Sequence, residues 1–600
     1  MNGLARPSLL WPDNIESFSD IGAAAKNVSF TTDLDLSGIA RAMDLDRYHL
    51  VSEDKLAALL TDNVDIINYR LEIAEELLEH SGLVMELKSL LPLLDDLSAM
   101  NKKKEAEQVP LLKTVRRLSE LDAFIKCIND IKSAFEKNSP TLRSKGLKKL
   151  YDFVSEISLN EELQALEKKM PELRAGFERL ASVTIGINLD AQLRPVESVL
   201  LSINDTRFKG EPFIDSIFSR KKPRDEYTGV SKLRSISEAI IATDHQELVV
   251  KAKRDGFFQD RDVINSKELT IALFSDLQSI LGNTAKRINV PLSKYTEINT
   301  GLLSGLGDEI AFYLGMLKLI NTITSCGMPM CRPETAAMDE RVCLLKGFYN
   351  IGLALRMSYS DPQSKIDNKI VTNDAIFNED SRIFILTGPN RGGKTTYTVA
   401  IGLVQVLFQL GMFVPAKYAR MSPVDRIFTH FPIEEKPESN LGRLGEESKR
   451  FYKIFNSATR HSLVLLNESL SSTSPGESLY ICKEIVYSLK VLGVRAVFAT
   501  HFHDLAENLD LINSKMPGDS RVVSMVSEIV QNTFSSEEHP EEAKRTYRII
   551  PGPPKGVSYA RDIAAKYGVS FEKLVKMMEN RGVIAEIEDI NLCIKGIDSP

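Results

Sequence analysis

Residues 382–396 read RIFILTGPNRGGKTT, an apolar run followed by a glycine-rich turn. The run at residues 383–386 predicts a buried parallel strand, and a helix is expected to begin near Lys394. Gly388, Gly392 and Gly393 let the backbone bend closely around an anion, so that N–H groups and the helix N-terminus can point at phosphate oxygens. The stretch therefore predicts a phosphate-binding loop between a strand and a helix.

The spacing of the loop fits the pattern G-x-x-x-x-G-K-[ST] from Gly388 to Thr395. The Lys394 ammonium suits the β- and γ-phosphates of a nucleotide, and the Thr395 hydroxyl suits Mg²⁺. We expect ATP and Mg²⁺ as ligands. The residues expected to contact the nucleotide are Gly388, Pro389, Asn390, Arg391, Gly392, Gly393, Lys394, Thr395 and Thr396.

The composition is that of an ordinary globular protein with several domains. Six hundred residues are too many for one core, and 43% of them are hydrophobic and 26% charged. No apolar run reaches the roughly 20 residues that cross a bilayer, so we expect a cytoplasmic protein without a membrane partner. The six cysteines are scattered and predict buried thiols rather than a metal site. A net charge of −7 argues against holding DNA through bulk positive charge.

The periodicity of the chain predicts a multidomain fold, a mainly helical region followed by an α/β region. Residues 1–45 have no assignable role. Residues 46–345 carry helical spacing, interrupted by a predicted β pair near residues 183–204. Residues 346–585 form the predicted nucleotide domain, and residues 586–600 are left as a C-terminal tail.

A second predicted strand ends in polar residues at SLVLLNE, residues 462–468. The carboxyl ends of parallel strands are where α/β sheets carry ligand-handling groups. An acidic pair is expected at such a strand end, but the first position is Asn467, whose amide oxygen can accept a hydrogen bond from a magnesium-bound water. Glu468 is the remaining carboxylate, and we assign it the role of general base. An exposed acid without a function is the alternative.

Two further motifs follow along the chain. The hydroxyl-rich turn SLSSTSPGES, residues 469–478, either caps the next helix or binds a γ-phosphate through hydroxyl and N–H groups. The stretch VRAVFATHFHDL predicts a strand ending at His501, which can donate a hydrogen bond to a γ-phosphate. A lone histidine is usually structural, so this functional interpretation depends on the neighbouring motifs.

These motifs, in this order, resemble an ABC-superfamily ATPase, and within it the MutS family of DNA mismatch-repair proteins. TGPNRGGKTTY is similar to the family's TGPNMGGKST, and VPAKYARMSPVDRIFTHF to its VPA…PIDRIFTR segment. SLVLLNESLSSTSPGES resembles SLVLxDExGRGTSTxDG, ATHFHDL resembles ATHxxEL, and YRIIPGPPKGVSYARDIAAKYGV resembles a stretch that ends in SYGI-x-x-A. The resemblance is specific over residues 350–580, and weaker upstream, where residues 46–335 resemble the family's core and lever region.

The resemblance implies a P-loop ATPase domain of ABC type in a dimer, with each ATP bound between one subunit's phosphate loop and the partner's serine-rich turn. It implies that Glu468 activates water and His501 is the switch histidine. Ser472, Thr473 and Ser474 would contact ATP in trans, and Thr395 and Asn467 (through a water) would serve Mg²⁺.

The chain also departs from the family's pattern. Asn467 stands where the family has Asp, which predicts weaker magnesium binding, and Leu470 and Ser472 replace glycines of the signature turn. Ile370 stands about where many members have an adenine-stacking aromatic residue. No mismatch-reading module and no further C-terminal nuclease domain is evident in the sequence.

Two functions remain open at this stage. The first is an ATP-hydrolysing DNA clamp in DNA repair that lacks a mismatch-reading module and recognises DNA structure rather than base sequence. The alternative is a regulatory or scaffold protein that binds ATP, hydrolyses it poorly and holds protein partners. Asn467 and the acidic net charge favour the second, whereas Lys394, Thr395, Glu468 and His501 favour the first.

Overall fold

The computed structural model describes sixteen stretches of the chain, which are residues 7–12, 30–44, 56–102, 110–138, 141–178, 182–189, 191–192, 195–204, 206, 292–295, 298–361, 365–432, 442–470, 475–530, 544–554 and 571–581. The chain divides into two compact units. Unit 1 comprises Met1–Asp13 and Glu76–Ala311, and unit 2 comprises Asn14–Glu75 and Phe312–Pro600. The predicted tail at residues 586–600 and most of residues 1–45 lie outside the described residues.

Helices dominate the N-terminal part of the described chain, and further helices alternate with strands in the C-terminal part. In order they are α1 (Phe30–Asp33), α2 (Leu36–Ala42), α3 (Val64–Glu79), α4 (Ser81–Lys102), α5 (Pro110–Asn138), α6 (Lys145–Ser158), α7 (Glu161–Glu178), α8 (Leu306–Ser325), α9 (Ile351–Ser360), α10 (Lys394–Gln409), α11 (Gly442–Ser457), α12 (Pro475–Leu492), α13 (Asp504–Glu507), α14 (Leu509–Lys515) and α15 (Phe571–Asn580). None of these helices is long and apolar enough to span a membrane.

Strands are concentrated in the C-terminal part. They are β1 (Ser182–Leu189), β2 (Pro195–Asn204), β3 (Glu334–Thr335), β4 (Cys343–Phe348), β5 (Asn373–Phe377), β6 (Ile383–Thr387), β7 (Tyr418–Met421), β8 (Ile427–His430), β9 (Leu463–Asn467), β10 (Arg495–Ala499), β11 (Val522–Val530) and β12 (Lys544–Pro551). The predicted order, a helical region followed by a mixed α/β region, is confirmed.

Unit 1 contains long helices packed side by side and one strand pair. Helix α5 packs against α4, α6 and α7. In α6 the residues Leu147, Leu150, Val154 and Ile157 are buried, because steps of three and four place them on one helix face. Strands β1 and β2 form an antiparallel pair with two register shifts, in the segment where the sequence predicts a β pair.

Unit 2 contains a six-stranded sheet with the strand order β12-β11-β6-β10-β9-β8. Every neighbouring pair is parallel except β11 and β12, which are antiparallel. The strands β6, β9 and β10 are buried along their whole length, because helices cover both faces of the sheet. Ile385 and Leu466 belong to a core with residues of α11 to α14, whereas α10 packs on β9 and β10. The parallel arrangement brings the carboxyl ends of β6, β9 and β10 to one edge.

A second, four-stranded sheet in unit 2 has the order β3-β7-β4-β5. Strand β4 pairs antiparallel with both β5 and β7. The sequence analysis did not predict this sheet. Its strands are two to six residues long, too short for a pattern of period two to stand out.

The segments just before β4, β6 and β9 each carry an arginine, and all three arginines lie around one carboxylate, Asp519, just before β11. The guanidinium of Arg341 donates to Asp519, Arg460 Nη2 lies 2.7 Å from Asp519 Oδ2, and Arg382 Nη1 lies 3.6 Å from Oδ1. The side chains of Arg341 and Arg382 are only 7% and 2% exposed. The hydrogen bond from Arg341 holds the pKa of Asp519 at about 2, below its ordinary value of 3.8. Asp519 therefore compensates two buried positive charges.

We predict that Asp519→Asn destabilises unit 2. A buried charge that loses its partner costs roughly 3–5 kcal/mol, and we expect about 1–2 kcal/mol here because water screens the half-exposed carboxylate. Folding lowers this pKa, so the contribution is complete above about pH 4 and is lost as the pH falls through about 2. Hydrogen exchange of the β6, β10 and β11 amides at increasing urea measures the loss. Asp380→Asn, at an exposed aspartate, is the control; equal protection in both variants would contradict the prediction.

Candidate phosphate-binding site

The glycine-rich loop between β6 and α10 has a backbone conformation that excludes side chains at its glycine positions. Gly388 and Gly393 have φ angles of 136° and 92°. A Cβ atom on Gly388 would lie 2.8 Å from Ser527 Cβ, and one on Gly392 would lie 2.7 Å from Ser527 Oγ. The Ser527 hydroxyl also donates to the Gly392 carbonyl oxygen at 2.7 Å. The loop is therefore fixed against β11 in a shape that requires glycine.

Lys394, the first residue of α10, points back into this loop. Its side chain is buried, and Nζ donates to the carbonyl oxygens of Gly388 at 2.9 Å and Pro389 at 3.0 Å. Burial lowers the pKa of Lys394, and the nearby Glu468 partly opposes this shift. The loop thus combines a desolvated cation with the N-terminus of a sixteen-residue helix, which together favour an anion such as phosphate.

The end of β9 lies against the start of α10. The Thr395 hydroxyl donates to Asn467 Oδ1 at 2.9 Å, so both predicted magnesium-serving residues are in contact. Their oxygens are of the type that Mg²⁺ takes, directly or through water, although Asn467 contributes no charge. Within the described residues no group of three or more His, Cys, Asp or Glu side chains could hold a metal ion by itself.

Glu468 and His501 form a pair next to Lys394. His501 Nε2 lies 3.0 Å from Glu468 Oε1. The hydrogen bond from His501 is the main cause that lowers the pKa of Glu468, with a further contribution from the charge of Lys394. The backbone N–H of Glu468 donates to the Ala499 carbonyl oxygen at 2.9 Å, which ties the end of β9 to the end of β10. His501 itself lies two residues beyond β10, rather than at the strand end that the sequence predicts.

The remaining predicted residues are distributed as follows. Asn390 and Arg391 are exposed on the loop, and Arg391 has a left-handed φ of 61°. The Thr396 carbonyl oxygen accepts a hydrogen bond from Asn350 Nδ2 at 3.2 Å. The signature residues Ser472, Thr473 and Ser474 lie outside the described residues.

A cavity of about 520 Å³ opens beside the loop. Residues 391–396 and Glu468 line it, together with a set of mainly apolar and aromatic residues. The sequence also singles out Ile370, another lining residue. The lining residues it missed include Phe348, Asn350, Leu353, Met357, Lys369, Asn373, Tyr397 and Tyr547. They come from four separate stretches of the chain, and no local signal marks them as one site.

Tyr547, on β12, is the most distant of these residues in sequence. It is 48% exposed, has a left-handed φ of 57°, and lies 3.7 Å from the position of a Cβ built on Gly393. Its carbonyl oxygen accepts from Asn373 Nδ2 at 3.4 Å. An aromatic ring thus stands at the mouth of the cavity next to the loop.

Two family models match this chain. The model of MutS domain V matches residues 384–566, and the model of the MutS2 N-terminal domain matches residues 62–326. The chain is 28% identical over 346 residues to the DNA mismatch repair protein MutS of Chlorobium phaeobacteroides. The matched residues make up 56% of this chain and 34% of that protein.

The chain belongs to the MutS family.

Two further MutS proteins match shorter stretches of this MutS-family chain. The protein of Chlorobium limicola is 38% identical over 142 residues, covering 24% of this chain and 16% of that protein. The protein of Halothermothrix orenii is 31% identical over 222 residues, covering 36% and 23%. The chain spans about a third of the length of the first curated relatives it matches. The domain V match covers Lys394, Glu468, His501 and Tyr547.

We predict that Gly388→Ala destabilises the loop of this MutS-family protein by about 2 kcal/mol or more, because the new methyl group would overlap Ser527 at a φ that favours glycine. Hydrogen exchange of the β6 and β11 amides measures the effect. Gly476→Ala is the matched control, since a Cβ there meets nothing within 4 Å. Wild-type exchange in Gly388→Ala would show that the loop tolerates a side chain.

Proposed function

We propose that this MutS-family protein is an ATP-hydrolysing, DNA-binding protein whose C-terminal region is a P-loop ATPase domain of ABC type. The observation that carries the proposal is the meeting of Lys394, the Thr395–Asn467 contact and the Glu468–His501 pair at one sheet edge, beside a cavity of about 520 Å³. A cavity of this size is within the usual range for small-molecule sites.

ATP would lie with its phosphates along residues 388–396 and its base in the apolar part of the cavity. Lys394 would exchange its two carbonyl acceptors for phosphate oxygens, and the first N–H groups of α10 would donate to them. Ile370 offers an aliphatic wall for the base, and Tyr547 offers an aromatic ring at the cavity mouth.

Glu468 would act as the general base for hydrolysis. Its lowered pKa keeps it ionised at neutral pH, so it can accept a proton from a water molecule held near the γ-phosphate. His501 would orient this carboxylate and donate to the γ-phosphate when the pair separates. Bound Mg²⁺ would neutralise phosphate charge, with Thr395 as a ligand and Asn467 bonded to one of the metal's waters.

We further propose a dimer in which Ser472, Thr473 and Ser474 of one subunit complete the ATP site of the other. ATP binding would then close a clamp on DNA without a mismatch-reading module, with contacts mainly to phosphates and DNA shape. The MutS relatives, which are DNA mismatch repair proteins, support this. A cytoplasmic location and a part in DNA repair belong to the same proposal.

The proposal predicts ATP hydrolysis that depends on Lys394 and Glu468. Lys394→Ala removes the phosphate cation and should weaken ATP binding at least about tenfold. Glu468→Gln removes the base and should leave ATP binding intact while lowering kcat about 10²–10⁴-fold. Steady-state hydrolysis and equilibrium binding of a fluorescent ATP analogue measure these effects. Lys453→Ala and Glu484→Gln, on α11 and α12, are the matched controls and should behave as wild type.

The DNA part of the proposal needs its own measurement. Binding to branched, mismatched and plain duplex DNA should weaken steeply between low and moderate salt, because phosphate contacts release counterions. Affinity that does not change with salt, or hydrolysis that no DNA alters, would contradict the clamp.

A second function is favoured by one observation, the neutral Asn467 at the magnesium position. A site with less negative charge should bind Mg²⁺ more weakly, as in a scaffold protein that binds ATP and turns it over slowly. We predict that Asn467→Asp lowers the Mg²⁺ concentration for half-maximal ATPase activity at least about threefold. Asn456→Asp, the same change at an exposed position of α11, serves as the comparison. An unchanged Mg²⁺ requirement in Asn467→Asp would argue against the hypothesis that the protein is a slowly hydrolysing scaffold.

A further inference from the structure

The turn that follows β9 is strained on both sides of Ser469. Glu468 has a φ of 47° and Leu470 a φ of 62°, and neither is glycine. Each residue held in this left-handed region costs about 1 kcal/mol or more. Such a turn persists only where the surrounding structure fixes it, and here it carries the carboxylate that contacts His501.

Two buried groups hold the far end of this turn. Glu447 Oε2, on α11, accepts the backbone N–H of Leu470 at 2.7 Å. The Ser478 hydroxyl, on α12, donates to the Leu470 carbonyl oxygen at 2.6 Å. The Leu470 side chain is completely buried among core residues of α11 and α12. Both helices are thereby connected to the residue that follows Ser469.

The centre of the turn is held by His430, the last residue of β8. His430 Nδ1 lies 2.8 Å from Ser469 Oγ, and the Ser469 hydroxyl lies 3.3 Å from the His430 carbonyl oxygen. When Nδ1 carries the ring proton, it donates to Ser469 Oγ while Ser469 donates to that carbonyl, so one arrangement satisfies both contacts. His430 is 1% exposed, and its ring stacks on Phe451 with centroids 4.1 Å apart.

The ring of His430 is neutral at physiological pH. Burial, with a smaller effect from Arg450, lowers the pKa of His430 to about 3. Its Nε2 atom is buried without a hydrogen-bond partner. Within the described residues the side-chain hydrogen bond of the ring is therefore made by Nδ1, and it is directed at Ser469.

We propose that His430, through Ser469, is a positioning residue for Glu468 in the proposed ATP hydrolysis. It holds the left-handed turn between β9 and α12, and the turn aims the Glu468 carboxylate at His501 and Lys394. This inference rests on the proposed function, because it concerns a residue that acts through the general base. Misplacing a reacting group by about 1 Å can cost about 10²-fold in rate, so the contact matters although His430 touches no nucleotide.

The test separates hydrogen bonding from packing with two substitutions. His430→Phe keeps the stack on Phe451 and removes both ring nitrogens, of which Nδ1 is the one within hydrogen-bond distance of Ser469. His430→Asn keeps an N–H donor near the Nδ1 position and loses the stack. For a positioning role we expect kcat to fall about 10–100-fold in His430→Phe, with KM for ATP unchanged, and to stay within about threefold of wild type in His430→Asn. His461→Phe, at a half-buried histidine elsewhere in unit 2, is the control.

Ser469→Ala provides a second variant at the same contact. If His430 acts through Ser469, the double variant His430→Phe/Ser469→Ala should be no slower than the slower single variant. Additive losses, or a normal kcat in His430→Phe together with a lowered kcat in His430→Asn, would overturn the proposal in favour of a packing role.

A crystal structure of His430→Phe distinguishes failure of this inference from failure of the proposed function. Wild-type protein that hydrolyses no ATP would refute the function, but the turn can still be examined. We expect the variant to lose the positive φ at Glu468 or the 3.0 Å contact with His501. A turn and contact identical to those described above would overturn the positioning role, whatever the activity.

Discussion

Parallel pairing of three buried strands is the constraint on which the candidate site depends. β10 pairs with β6 on one side and with β9 on the other, so the loop after β6, Glu468 after β9 and His501 after β10 meet at one edge. Backbone hydrogen bonds continue past the strand ends, from Glu468 to Ala499 and from Thr500 to Leu386. The backbone ladder thus places the functional residues, and the Thr395–Asn467 and Glu468–His501 contacts join their side chains.

The sequence predicts those parts of the site that belong to continuous motifs. The apolar runs ending at Leu386 and Leu466 predict the strands, because strands buried on both faces need apolar residues at nearly every position. The glycines and Lys394 predict the loop, since few other residue types allow that backbone or supply that charge. The roles of these residues remain predictions, as do those of the signature residues Ser472, Thr473 and Ser474.

Other features could not be derived from local patterns. Tyr547 lies about 150 residues after the phosphate loop along the chain, and only the pairing of β11 with both β6 and β12 brings it to the cavity. Glu447 and His430 look like an ordinary helix acid and a strand-end histidine in the sequence. Their contacts with the turn at residues 468–470 depend on how α11 and β8 pack. A leucine does not predict the left-handed φ of Leu470, because glycine is the residue that takes this conformation without strain. The one sequence signal for it is that Leu470 stands where the family has a glycine.

The two carbonyl acceptors of Lys394 have a consequence for how a ligand would be received. The chain itself supplies oxygen atoms for the buried ammonium, at 2.9 and 3.0 Å, and Ser527 fixes the same loop from the other side. The loop therefore loses its conformational entropy during folding. Association with a ligand does not carry this cost again. A phosphate would replace one set of acceptors by another within a preorganised frame, so recognition becomes an exchange of partners and requires no collapse of the loop around the ligand.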